Sequence, residues 1–158
     1  MSDTEIAMAS EPTAPTPLQC LEWVAERLAA ANVYCGHGTD ELWDEAAHLV
    51  LYALGLPADA NEQMLPQQVT AKQQQSMLAL LKRRVEERIP LPYLTQQAWF
   101  MQFPFYVDER VLIPRSPFIA NLEAAFSPWI AEASQVSHIL DVGTGSGSLA
   151  ICCAMVFG

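Results

Sequence analysis

The sequence is poor in positive charge. Eight Lys and Arg side chains stand against eighteen Asp and Glu, a formal net charge of −10 over 158 residues. The shortage is regional. Residues 1–66 hold Arg27 as their one base beside eleven acids, whereas residues 67–115 hold seven bases against four acids. An acidic face can attract a basic partner and a basic stripe can meet nucleic acid, although solvated surface accounts equally well for both. Long apolar runs are also missing: none reaches the ~18 residues that a membrane span requires. No basic segment followed by an apolar one opens the chain, so no secretory signal is expected. Cysteine is scarce, and Cys20, Cys35, Cys152 and Cys153 lack the C-x-x-C spacing of a metal knuckle. That excludes the usual zinc patterns and favours reduced, buried thiols in a cytosolic protein.

What is present is a set of amphipathic segments. Residues 1–16 are rich in Ala, Ser, Thr, Pro and Glu without apolar periodicity and read as a mobile tail. Thr16 followed by Pro17 is a helix start, and Leu18, Leu21, Val24 or Ala25, and Leu28 follow at helical spacing. After the loop from Tyr34 to Thr39, Asp40 starts a second helix with Leu42, Ala46, Leu49, Val50 and Leu54 inward, ended by Gly55 and Pro57. Thr70 caps a third, in which Met77, Leu80, Leu81, Val85 and Ile89 share a face until Pro90 and Pro92. Lys82, Arg83, Arg84 and Arg88 decorate its remainder, as a solvated face or as a weak contact to nucleic acid. Three such helices make a small bundle.

From Ala98 to Ile113 aromatic and β-branched residues take over, predicting a hairpin that turns near Asp108-Glu109-Arg110, with Trp99, Phe100, Phe103 and Phe105 in the core. Ser116 and Pro117 then open a helix with Phe118, Leu122, Phe126 and Trp129 on one side, broken or kinked at Pro128.

The most informative segment is Asp141-Val-Gly143-Thr144-Gly145-Ser146-Gly147. It follows Ile139-Leu140, of strand character, and precedes an apolar helix from Leu149 to Phe157. Strand, glycine turn, helix is how a nucleotide-binding sheet begins. Glycines permit the tight turn and close backbone approach, and the helix amides that follow point free N–H groups at a ligand. The spacing G-x-G-x-G, with Ser148 where dinucleotide dehydrogenases carry a third glycine, and with Asp141 two residues before Gly143, is similar to the first motif of class I S-adenosylmethionine methyltransferases. The ribose-binding acid expected roughly 20 residues further on would lie beyond Gly158. The strand over Ile139–Val142 is expected to lack a partner, and the last twenty or so residues to pack poorly or to dock on the hairpin.

Several stretches together resemble one family. Tyr34-Cys35-Gly36-His37-Gly38-Thr39-Asp40, Trp43-Asp44-Glu45-Ala46, Glu87-Arg88-Ile89-Pro90, Tyr93-Leu94-Thr95 and Ala98-Trp99-Phe100 look like the N-terminal part of the ribosomal-protein glutamine N(5)-methyltransferases. The segment from Tyr106 to Pro117, with its Val111-Leu-Ile-Pro-Arg115 core, is the most specific and is shared with the wider HemK-like family. Ser116-Pro117 resembles the branch acting on the third protein of the large ribosomal subunit more than the release-factor branch, which has Pro-x-Thr-Glu. The likeness covers roughly Cys20 to the last residue.

The resemblance implies an α+β chain: a helical bundle over 17–94 that positions the protein substrate, a β-hairpin linker over 95–116, and over 117–158 the first β-α unit of a Rossmann-like domain. It implies S-adenosylmethionine as cofactor, held by Asp141, Gly143, Thr144, Gly145, Ser146 and Gly147 with Arg115 nearby, a large-subunit ribosomal protein as substrate, ribosomal RNA as an optional weak contact, no metal and a cytoplasmic setting. His37 either contacts substrate or packs within its own loop. The branch usually has Cys where Gly143 stands. The family's Asn-Pro-Pro-Tyr motif, which orients the substrate amide, is absent from this sequence, so these residues alone are expected not to transfer a methyl group. Two other readings stay open: a non-catalytic helical module that docks a ribosomal partner, and a release-factor methyltransferase.

Overall fold

In the computed structural model, residues 13–36 and 41–158 are described. The chain is α+β, with six α-helices and one two-stranded antiparallel sheet among them. It divides into two compact units, Met1–Thr95 and Gln96–Gly158.

The first unit is built on α1 (Pro17–Ala30), α2 (Leu42–Leu54), α3 (Ala71–Glu86) and the short α4 (Leu91–Thr95). The start of α1 is a full capping box: the Thr16 hydroxyl accepts the Gln19 N–H while the Gln19 side chain accepts the Thr16 N–H, and Pro17 takes a position that needs no donor. Thr70 and Gln73 repeat the device at α3. Val69 N–H donates to the Pro15 carbonyl at 2.9 Å, so the two capped ends lie side by side. Gly55, left-handed at φ 73°, closes α2. The core joins Leu28, Leu49, Met77 and Leu81, all fully buried. Each such side chain contributes about 1.5–3 kcal/mol of transfer free energy.

Three details of this unit differ from expectation. The buried stripe of α1 runs Cys20, Val24, Leu28 with Trp23, so Leu18 is exposed and Leu21 only partly covered. The i, i+4 row through Cys20 fits the neighbouring helices, and the bulk of Trp23 turns the helix toward it. Glu41 holds the cap position of α2, while Asp40 and His37 lie outside the described residues. The third helix ends at Glu86, short of Ile89: Pro90 disfavours helical backbone at the residue before it, and Arg88 is left-handed. Pro92 does not halt the chain but sits in the first turn of α4, where it removes no helical hydrogen bond.

In the second unit, β1 (Gln97–Phe100) pairs with β2 (Phe103–Tyr106) in the register Phe100↔Phe103, Trp99↔Pro104, Ala98↔Phe105. The hairpin turns at Met101-Gln102, both at positive φ, not at Asp108-Glu109-Arg110. A two-residue turn of this hand matches strand twist, and Met-Gln carries none of the Asn-Gly signal that normally betrays it. Asp108 makes a separate turn, accepting the Arg110 N–H on its side chain and the Val111 N–H on its carbonyl. In β1 period-two alternation puts Ala98 and Phe100 inside and Trp99 outside; in β2 Phe105 is inside, whereas Phe103, on the same face but beside the turn, stays substantially exposed, correcting the expectation that all four are core.

The helix expected from Ser116 shrinks to α5 (Ile119–Glu123). Ser116 Oγ accepts the Phe118 N–H, but Phe118 and not Ser116 holds the cap position, so Pro117 lies ahead of the helix; Ala125 and Phe126 then turn left-handed, and Trp129 is exposed. Leu122 is fully buried with Phe100, Phe105 and Cys152. Cys152 comes from α6 (Ser148–Phe157), so the last helix docks on the hairpin and α5.

The expected strand at Ile139–Val142 does not form; residues 136–141 are irregular. Leu140 is 87% exposed and Val142 84%. A parallel strand is held by neighbours on both sides, and the described residues offer it none. Of the anticipated β-α unit, the turn and the helix are present. Among the described residues, no helix is long and apolar enough to cross a membrane.

Candidate functional site

Residues 141–148 form a compact turn feeding α6. Gly143, Gly145 and Gly147 all lie at positive φ (80°, 58° and 80°). A Cβ at Gly143 would meet nothing within 4 Å, and one at Gly145 only the Gly143 carbonyl at 3.9 Å. Backbone conformation, not crowding, therefore demands glycine here, and the space beside Gly143 is open. Thr144 Oγ1 donates to the Asp141 carbonyl at 3.0 Å, and Gly147 N–H to the Thr144 carbonyl at 2.9 Å. The first helical bond runs from Ile151 N–H to the Gly147 carbonyl, and Gly147 supplies no side-chain cap. The amides of Ser148, Leu149 and Ala150 are thus the unpaired donors that begin any helix.

Two shallow cavities flank α6. One, of about 750 Å³, lies between β2 and the helix, with Tyr106, Asp108, Arg110, Ser146, Ile151 and Met155 on its walls. The other, of about 290 Å³, includes Ser137, Asp141, Ala150, Cys153 and Phe157. The structure therefore brings Ser146 and Asp141 to different sides of the helix. Arg115 is exposed and lines neither.

The Oδ2 atom of Asp141 is buried without a hydrogen-bond partner among the described residues. Such an atom carries a desolvation cost that a donor would relieve. Burial pushes the Cys153 thiol up, and the Asp141 carboxylate adds to it. Cys152 and Cys20 are raised by burial as well. Among the described residues no group of three or more His, Cys, Asp or Glu could hold a metal ion.

At the rim of the larger cavity, Arg110 grips Asp108 through Nε and Nη2, the latter at 2.6 Å. Tyr106 OH donates to the same carboxylate at 3.3 Å and accepts from Gln96. Arg110 holds the Asp108 carboxyl at about 2, well below its ordinary 3.8.

The basic stripe of α3 is not what its composition suggests. Lys82 pairs with Glu86 and Arg83 with Glu87 on the surface. Arg84 is only 4% exposed and meets Glu45, 5% exposed, from α2: Nε to Oε1 is 2.5 Å and Nη2 to Oε2 3.5 Å. Nη2 also donates to the Tyr34 carbonyl at 2.8 Å. Sequence reasoning missed this pair, although a signal existed: Glu45 is one turn before Leu49, and Arg84 three residues after Leu81, so each charge falls on a buried stripe.

No family model matches the chain. Many curated proteins do, among them the following two. A ribosomal protein uL3 glutamine methyltransferase from Bordetella pertussis is 44% identical over 137 residues, 87% of this chain and 46% of the relative. One of the same name from Francisella tularensis is 39% identical over 137 residues, 87% of this chain and 44% of the relative. The class of protein that this chain matches is therefore the methyltransferases. Within it, the chain is similar to the ribosomal protein uL3 glutamine methyltransferases, and it spans about half the length of the curated relatives it matches.

Proposed function

We propose that the whole protein is an S-adenosylmethionine-dependent methyltransferase that modifies a glutamine side-chain amide of the large-subunit ribosomal protein uL3. The observation that carries this reading is the 44% identity over 137 residues to a relative of that name. The cofactor, when bound, supplies a sulfonium methyl group open to attack by the amide nitrogen. This chain's own residues would bind and orient. The backbone amides from Gly143 to Gly147 and the first amides of α6 offer donors. The unpartnered carboxylate oxygen of Asp141 offers an acceptor, and Arg115 an exposed guanidinium. These groups suit a polar nucleoside with an amino-acid arm, and a turn without a pyrophosphate cradle fits it better than a dinucleotide. A domain of Rossmann-like type, cytoplasmic location and a helical first unit that presents substrate complete the proposal. RNA contact is not part of it, because Arg84 is turned inward. Lacking Asn-Pro-Pro-Tyr, the 158 residues alone are expected to leave the amide unmethylated.

Calorimetry tests the cofactor assignment. The intact protein should take up S-adenosylmethionine and ignore nicotinamide dinucleotides. Gly145→Ala should weaken uptake about 5- to 30-fold, because a left-handed alanine costs roughly 1–2 kcal/mol. Uptake of the dinucleotide with indifference to the methyl donor would overturn the reading.

A further inference from the structure

We draw no further inference here: the strongest candidate, the cavity between β2 and α6 walled by Tyr106, Arg110, Ile151 and Met155, opens along an unpartnered helix face, and nothing in the structure shows what covers it.

Discussion

Removing the Glu45 carboxylate is the sharpest perturbation this fold offers. The Arg84 guanidinium is almost wholly enclosed and has two partners, the Glu45 carboxylate and the Tyr34 carbonyl. Glu45→Ala leaves a buried cation with a neutral carbonyl as its remaining acceptor. Breaking a buried pair from one side costs about 3–5 kcal/mol, because the surviving charge keeps its desolvation penalty. A unit of this length is stable by roughly 4–12 kcal/mol, so the loss is a large share of the whole. Replacing both partners gives the opposite expectation. Glu45→Leu with Arg84→Met removes the charge together with its cost, and should stay within about 1–2 kcal/mol of the parent. Urea unfolding, read together with amide hydrogen exchange across α2 and α3, assigns the change to this unit. The reasoning fails if Glu45→Ala costs less than about 1 kcal/mol, as an exposed ion pair would, or if the double variant is no more stable than the single one.

Two further outcomes follow from the second unit. Leu122→Ala empties the centre of the cluster formed with Phe100, Phe105 and Cys152; it should cost about 2–5 kcal/mol and abolish exchange protection in α6. Asp108 should titrate near 2 in a carboxyl-detected NMR series, and Arg110→Ala should return it toward 3.8. Its folded value is the lower one, so what the pair adds to stability is fully present above 3.8 and fades as pH falls toward 2.

The helical unit was readable because its signals are local. Thr16-Pro17, Thr70 and Gly55 act within one turn of themselves, and the expected inner positions of α2 and α3 are the buried or partly buried ones. What escaped depends on distant partners. Trp99 and Phe103 looked like core by composition, but alternation turns Trp99 outward, and Phe103, beside the turn, is left outside the buried cluster. Ile139-Leu140 has strand chemistry, and a strand is a property of its neighbours. The glycine turn was legible down to its helix, whereas the separation of Asp141 from Ser146 around α6 depends on the irregular path of residues 136–141. The Glu45–Arg84 pair spans 39 positions, so periodicity could mark each charge as inward-facing but could not pair the two.

Pro104 stands opposite Trp99, and the register fixes where its missing donor falls. With Phe100↔Phe103 closing the turn and Val107 N–H bonded to the Gln96 carbonyl, the inward-bonding positions of β2 are Phe103 and Phe105. Pro104 therefore removes a donor from the outer edge and costs the hairpin nothing. A foreign strand approaching that side would find Tyr106 as the one N–H of β2 aimed at it. The hairpin is blunted against sheet growth through β2, a safeguard common in edge strands, so any strand added to this sheet would join along β1.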